Sequence, residues 1–331
     1  MILITGANGF VGSAFLKYLS SRGYDVCGLV RRGCDFRRLR NEDVKLKYGD
    51  LRNPDSLHKA MKGCNIVIHC AARSLDWGRR RDFEDVNVKG VQNIVEAASR
   101  TGTVSKIIYI STANVAGFGL RYMDEQIKDR YRPPFTYSRT KLEGERIATG
   151  LCKNLRIALT ILRPSAIYGP GDWKFSFEMI DRIANSFWPM VGKGKAVFTP
   201  VFIENLCKAA ELAVKSNKPF GIYNITDNVT ISWMDFSLKV ASALGVPLHY
   251  RSFPAFFALG AALLYEAFHR VFKPEKEPEI TPYRVIRSCK DFHYSCKHAI
   301  DELGYEPDPD IDKHIKKTVE WYREAVKEGK K

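Results

Sequence analysis

The sequence predicts a doubly wound parallel α/β sheet followed by a smaller lobe, and three observations carry that expectation. Short apolar runs alternate with longer amphipathic stretches over the first 172 residues. Those runs are apolar at successive positions, so both of their faces need covering, as in parallel strands flanked by helices. A glycine-rich turn joins the first run to the first helical stretch, where such a sheet places a phosphate site.

The elements follow in order. Residues 2–5, Ile-Leu-Ile-Thr, make the first strand, and residues 9–22 the first helix. Runs at 26–30, 66–70, 107–111 and 158–162 repeat the strand pattern, each bounded by Gly, Asp, Lys or Pro. Between them, Val88, Val91, Ile94 and Val95 fall at helical spacing. After Gly171 the alternation breaks. Pro170-Gly171-Asp172 reads as a turn, 175–187 as a helix, and 197–203 and 221–225 as further strands. No internal repeat or low-complexity linker divides the chain.

Composition narrows the class. Of 331 residues, 45% are hydrophobic and 27% charged, which excludes disordered and fibrous architectures. Lys and Arg number 52 against 37 Asp and Glu, a formal net charge of +15. That surplus suits an anionic partner, whether a phosphorylated cofactor, an acidic membrane surface or nucleic acid. The eight cysteines include no C-x-x-C pair, and Cys289, His293 and Cys296 have poor zinc spacing. No metal is expected, and free thiols are. The opening residues lack a signal-peptide pattern, so the expected compartment is reducing and cytoplasmic.

The segment 253–272 stands apart. Thirteen residues, 253–265, carry no charge before Glu266, His269 and Arg270 follow. That is short for a bilayer span, which needs about 20 apolar residues. Two readings remain open: a buried helix or lid, and a helix lying in a membrane interface with Arg251, His269, Arg270 and Lys273 toward anionic lipid.

Thr5-Gly6-Ala7-Asn8-Gly9-Phe10-Val11-Gly12 is the glycine turn. Glycines at 6, 9 and 12 permit a tight turn, close approach of a pyrophosphate, and packing of helix on sheet. The helix N-terminus presents N–H groups to the phosphates. This context predicts a Rossmann-type dinucleotide domain at 1–172, rejoined by segments near 196–226, with 173–331 mainly a substrate-binding lobe. After the second strand comes Val30-Arg31-Arg32-Gly33, with no acid to hold a ribose hydroxyl. Guanidinium groups at Arg31 and Arg32 favour a 2′-phosphate, so NADP(H) is expected over NAD(H).

Tyr137 and Lys141 stand four residues apart in a helical run, on one face. An ammonium beside a phenol favours phenolate, which equips tyrosine for proton transfer near neutral pH. The strand end at 107–111 brings Thr112 toward the same cleft.

With these residues in view, the chain resembles the extended short-chain dehydrogenase/reductase superfamily along nearly all of its length. The matching segments are T-G-A-N-G-F-V-G at 5–12, G-D-L at 49–51 and H-C-A-A at 69–72, then V-N-V-K-G-V-Q-N-I-V-E-A-A at 86–98. Y-I-S-T at 109–112, Y-S-R-T-K at 137–141 and L-R-P-S-A-I-Y-G-P-G-D at 162–172 complete them. The resemblance implies Tyr137 as general acid or base, Lys141 on the nicotinamide ribose, and Thr112 hydrogen-bonded to the substrate oxygen. It implies cofactor contacts from Gly6, Asn8, Gly9, Phe10, Val11 and Gly12, with Asp50 and Leu51 toward adenine. Ala71 and Ala72 would meet the cofactor's middle, and Pro164 and Ile167 its nicotinamide end. Asn87 is either structural or part of the active site. A homodimer is the family's usual assembly.

Ala113-Asn114 stands where nucleotide-sugar dehydratases carry an Asp-Glu pair, so their elimination chemistry lacks its groups here. Val115-Ala116-Gly117 and Phe202-Ile203-Glu204-Asn205-Leu206 are similar to the 3β-hydroxysteroid dehydrogenase-like branch, as is the placing of the apolar segment. The expectation is an oxidoreductase moving hydride between NADP(H) and a secondary alcohol or ketone of an apolar small molecule. A nucleotide-sugar epimerase or reductase with tightly held cofactor is the alternative. Basic clusters at Arg31-Arg32, Arg37-Arg38, Arg40 and Arg79-Arg80-Arg81 raise a non-catalytic, RNA-associated reading. They lack stacking aromatics and any recognisable nucleic-acid motif, and nucleic acid is not the expected partner.

Overall fold

A computed structural model describes residues 1–39, 44–119, 122–126 and 132–329. Arg40 of the basic cluster lies outside the described residues. In chain order the first half contains β1 (Ile2–Thr5), α1 (Phe10–Ser21), β2 (Val26–Val30), β3 (Lys45–Tyr48), α2 (Pro54–Met61) and β4 (Ile66–His69). It continues with α3 (Arg80–Asn87), α4 (Lys89–Thr101), β5 (Lys106–Ile110), α5 (Thr136–Leu155) and β6 (Ala158–Pro164). Then come β7 (Ala166–Tyr168), α6 (Ser176–Asn185), β8 (Trp188–Val191), β9 (Val197–Phe198), β10 (Pro200–Phe202), α7 (Ile203–Lys215) and β11 (Phe220–Ile225). The rest is β12 (Ile231–Ser232), α8 (Trp233–Leu244), β13 (Tyr250–Phe253), α9 (Ala255–Phe272), α10 (Pro282–Cys289), α11 (Lys297–Leu303) and α12 (Ile311–Lys327).

Seven strands form one sheet in the order β11-β6-β5-β4-β1-β2-β3, and every pairing is parallel. The strand period of two sends neighbours to opposite faces. Ile2, Ile4, Ile108 and Ile110 join the core beneath α1 and α7. Leu3, Ile107 and Tyr109 join the one beneath α2, α4 and α5. Fully apolar strands are thus covered twice, which is why the runs do not alternate in polarity.

Strand β3 was not foreseen. It reads Lys-Leu-Lys-Tyr and sits at the sheet edge, where charged side chains blunt an open row of backbone groups. The strand expected at 197–203 is divided into β9 and β10, with α7 starting directly at Ile203. The eight cysteines are all unbridged.

The small paired strands, together with α6 and α8 to α12, build the C-terminal lobe. Within it α9 is unusual: only Ala262 and His269 are buried. Phe256 is 69% exposed, Leu264 75% and Val271 71%, so this is not the buried helix allowed by the sequence. It touches the body through α10 and through Trp77, whose indole donates to the Pro274 carbonyl at 3.0 Å and meets the His269 ring edge-on.

Candidate active site

The cleft is built from the carboxyl ends of the central strands. After β1 the chain turns at Gly6, whose φ of +66° is left-handed. A Cβ there would lie 2.8 Å from the Ala71 Cα, and one on Gly12 would lie 2.2 Å from the Gly6 carbonyl oxygen. Both positions must stay bare. Gly9 N–H closes the turn on the Gly6 carbonyl at 2.9 Å. Helix α1 starts behind Gly9 with no side-chain cap, leaving its first N–H groups for a ligand. Asn8, Phe10 and Val11 are half-buried around this turn. The Thr5 hydroxyl accepts from the Ala71 N–H at 3.1 Å and stands 2.8 Å from Nδ1 of buried His69, which locks the β4 end beside the turn. Burial pushes the His69 imidazole down to about 3, so it is neutral.

Beside the turn, a cavity of about 720 Å³ is lined by Arg31, Arg32, Tyr48, Asp50, Arg52 and Lys59, among others. The Arg32 guanidinium lies 5.3 Å from the centre of the Tyr48 ring. Asp50 lines the cavity but is engaged by Arg52 at 2.8 Å, and that hydrogen bond holds its carboxyl below the usual range. Leu51 points elsewhere: it is buried and packs where a Gly90 Cβ would be, at 3.2 Å. Ala71, Ala72 and Ile167 are half-buried, while Pro164 is buried at the end of β6. A tight, side-chain-free turn beneath bare helix N–H groups, opening into a basic cavity, fits a dinucleotide.

Thr112 follows β5, and its hydroxyl accepts from the Asn114 N–H at 3.3 Å. Tyr137 and Lys141 occupy the first turns of α5. The Lys141 ammonium donates to the Ile110 carbonyl at 2.7 Å and lies 4.1 Å from the Tyr109 ring centre. Burial pulls its pKa down to about 7, against the opposing carboxylate of Glu145. Burial also pushes the Tyr137 phenol up, with Tyr283 adding and the Arg287 charge opposing. The downward pull of Lys141 on Tyr137, expected from their spacing, is therefore not the ruling effect. The ammonium is tied to β5, and desolvation dominates.

Asn87 lies beside this cluster. Its Oδ1 accepts from the Arg73 N–H at 2.8 Å, and its Nδ2 donates to the Arg73 carbonyl and to Thr140 Oγ1. It staples the segment after β4 to α5.

The other side is closed by residues that sequence reasoning missed, with Tyr283 of α10 brought in from the lobe. Phe118, Phe135 and Tyr283 meet edge-on, with Phe135 and Tyr283 centroids 4.9 Å apart. Asn114 Nδ2 donates to the Tyr283 hydroxyl at 2.9 Å, and the Tyr294 hydroxyl donates to the Gly117 carbonyl at 2.8 Å while lying 3.3 Å from the Asn114 side-chain amide. A signal for α10 existed in Thr281-Pro282. Thr281 caps the Arg284 N–H, with proline in the first turn. Nothing local said where that helix docks.

Comparison with known proteins adds three findings. Residues 2–226 match the family described as NAD dependent epimerase/dehydratase. The human sterol-4-alpha-carboxylate 3-dehydrogenase, decarboxylating, is 29% identical over 97% of this chain and 87% of its own length. A 2-alkyl-3-oxoalkanoate reductase of Stenotrophomonas maltophilia (strain K279a) is 25% identical over 96% and 97%. Among solved structures, the UDP-glucuronic acid 4-epimerase of Bacillus cereus, in complex with UDP-glucuronic acid and NAD, superimposes with a TM-score of 0.77. Its identity is 20%, with coverage of 98% of this chain and 99% of its own. That likeness is one of fold.

These findings correct the expectation of NADP(H). The matching family is described as NAD dependent, and the Bacillus cereus structure holds NAD. Arg31 and Arg32 are both exposed, and Arg32 already lies against an aromatic ring. A guanidinium favours such stacking without any 2′-phosphate, so the arginine pair is no marker of one.

Proposed function

The chain belongs to the NAD dependent epimerase/dehydratase family, enzymes acting on CH–OH groups, and on that premise we propose that it moves hydride between NAD(H) and a secondary alcohol or ketone of an apolar small molecule. One observation supports this substrate class above the rest. The wall beside Tyr137 is aromatic, made by Phe118, Phe135 and Tyr283, and offers few polar partners for a sugar diphosphate. Two relatives carry names that specify sterol or alkyl substrates, in the same direction.

In this reading Gly6, Gly9 and Gly12, with Asn8, Phe10 and Val11, hold the pyrophosphate. Asp50 flanks the adenine side, backed by Leu51, and Ala71 and Ala72 line the middle. Pro164 and Ile167 border the nicotinamide, whose ribose meets Lys141 and Tyr137. When bound, the nicotinamide supplies or accepts the hydride. Tyr137 holds or moves the proton at the substrate oxygen, and the Thr112 hydroxyl steadies charge developing there.

Tyr137→Phe should lower kcat by about 10²- to 10⁴-fold, the usual worth of a positioned acid–base group, while NAD binding measured by calorimetry stays nearly intact. A variant turning over at the wild-type rate would remove Tyr137 from the chemistry. Interconversion of a nucleotide sugar on non-exchanging NAD, with no net change in nicotinamide absorbance, would replace the oxidoreductase reading by the epimerase one.

The same apolar substrate class suits a peripheral membrane contact through α9. Among the described residues α9 is the one helix long and apolar enough to cross a bilayer. Exposed Arg251, Arg270 and Lys273 flank its ends, where they can meet anionic lipid.

A further inference from the structure

The loop that leaves β4 is fastened to the α9–α10 segment of the lobe by Asp76, Trp77 and Arg79. Asp76 accepts from the Thr281 hydroxyl at 2.6 Å and holds Arg284 in a two-pronged grip, 2.9 Å from Nε and 3.1 Å from Nη2. Trp77 donates to the Pro274 carbonyl, with the Arg270 guanidinium 4.9 Å from its ring centre. Arg79 pairs with Glu275 at 2.9 Å. The Asp76 contact is the protected one of the two ion pairs: its side chain is 11% exposed, against 76% and 84% for Arg79 and Glu275.

Asp76 grips α10 at its start. The Thr281 hydroxyl that donates to Asp76 also accepts from the Arg284 N–H at 3.2 Å, capping the helix. Tyr283 is the second residue of α10, so whatever sets that first turn sets its ring. The ring completes the aromatic wall with Phe118 and Phe135, and Phe135 directly precedes the helix that carries Tyr137. The Tyr283 hydroxyl is hydrogen-bonded to the Asn114 side-chain amide at 2.9 Å, whichever way that amide lies. The Asn114 backbone N–H in turn donates to the Thr112 hydroxyl. A chain of contacts thus runs from Asp76 through α10 to the wall and to Thr112.

Arg284 does not depend on Asp76 for a partner. It also meets the Glu277 carboxylate and the Glu279 carbonyl, both within its own lobe. Loss of Asp76 therefore strands no charge, and its effect falls on where α10 sits rather than on whether the chain folds. The root of the loop is pinned separately, by Asn87 on the Arg73 backbone.

We propose that Asp76 is a positioning residue for the substrate: acting through Thr281 and the first turn of α10, it sets the Tyr283 ring against which the apolar part of the substrate packs. Its own carboxylate is engaged entirely with the lobe. This inference rests on the oxidoreductase reading and adds to it a residue from the opposite side of the cleft.

The test compares 2-decanol with 2-butanol as hydride donors to NAD⁺. Hydride leaves the carbinol carbon for NAD⁺ and the hydroxyl proton is released, so NADH absorbance reads the rate. Wild type should favour 2-decanol in kcat/KM. Asp76→Ala and Thr281→Val should each shrink that preference roughly tenfold through KM, the cost of one misplaced methylene in an apolar pocket, with kcat little changed. Thr281→Ser, which keeps the hydroxyl, should retain the preference, as should Arg79→Gln, which cuts another tie of the same loop. In a Tyr283→Ala background Asp76→Ala should have no further effect, because the ring it places is gone. A wild type without the 2-decanol preference, an unchanged preference in Asp76→Ala, or an equal drop in the Tyr283→Ala background overturns the proposal and leaves the oxidoreductase reading standing. Should wild type oxidise neither alcohol, the oxidoreductase reading fails on these substrates, and calorimetry of 2-decanol binding to the NADH complex decides the positioning role. Weaker binding in Asp76→Ala than in wild type, with no such difference in the Tyr283→Ala background, upholds it. Equal binding, or none to wild type, overturns it. Unchanged NAD affinity is the check on folding, and Thr281→Val carries the same comparisons should Asp76→Ala fail that check.

Discussion

At the scale of single residues, Lys141 shows how burial sets chemistry. Its ammonium is enclosed between the Ile110 carbonyl and the Tyr109 ring, and its pKa falls to about 7. The unfolded chain would keep that proton to about pH 10.4. Between pH 7 and 10 the unfolded state therefore holds more protons than the folded one, and the Lys141 contribution makes stability rise with pH. In Lys141→Met that rise should be missing, so urea denaturation at pH 7 and pH 9 should show wild type gaining stability relative to the variant. An equal response in both proteins would mean that Lys141 stays protonated in the fold. The pairing of Tyr137 with Lys141 was legible in the sequence because one helix carries both. Tyr283 was not, because a helix far along the chain delivers it through tertiary docking. Arginines after β2 were misread for a related reason: a guanidinium serves phosphate or an aromatic plane equally well, and the Tyr48 ring belongs to a strand that the sequence reading missed.

Among the elements, those with unbroken apolar runs came out close to their expected bounds. The run at 66–70 became Ile66–His69 and that at 107–111 became Lys106–Ile110. Burial on both faces leaves such segments one available role. Edge and lobe strands were harder, since β3 alternates with lysine and Pro200 interrupts the run at 197–203. What fastens helix α5 to β6 was not legible at all. Glu145 and Arg163 form a two-pronged buried ion pair, at 2.9 and 2.6 Å, with side chains 3% and 4% exposed. Glu145→Gln leaves a buried guanidinium without its counter-charge and should cost about 3–5 kcal/mol in urea unfolding. The double variant Glu145→Leu with Arg163→Met should recover much of that loss, because it removes both charges together. A single variant as stable as wild type would show that water reaches the pair.

For the molecule as a whole, net charge and shape act together. The +15 surplus draws the protein toward anionic surfaces, and α9 presents the strongly exposed side chains of Phe256, Phe257 and Leu264. Cosedimentation with phosphatidylserine-containing vesicles should therefore occur and weaken with salt. Replacing Phe256, Phe257 and Leu264 by Ser should cut binding by more than about tenfold, since each buried side chain is worth roughly 1.5–3 kcal/mol. NAD affinity and melting temperature should hold, because these side chains support nothing inside the fold. Full vesicle binding by the triple variant would remove α9 as the contact. The sheet order has a consequence of another kind, in the timing of synthesis. β11 pairs with β6, and α7 packs on α1, yet both leave the ribosome after the other six strands. Until they arrive, β6 offers an open edge and α1 an uncovered flank. A nascent chain halted after residue 172 carries the complete glycine turn and the Tyr137 helix together with an adhesive border, and it is at that moment, rather than in the finished enzyme, that the protein is most exposed to aggregation.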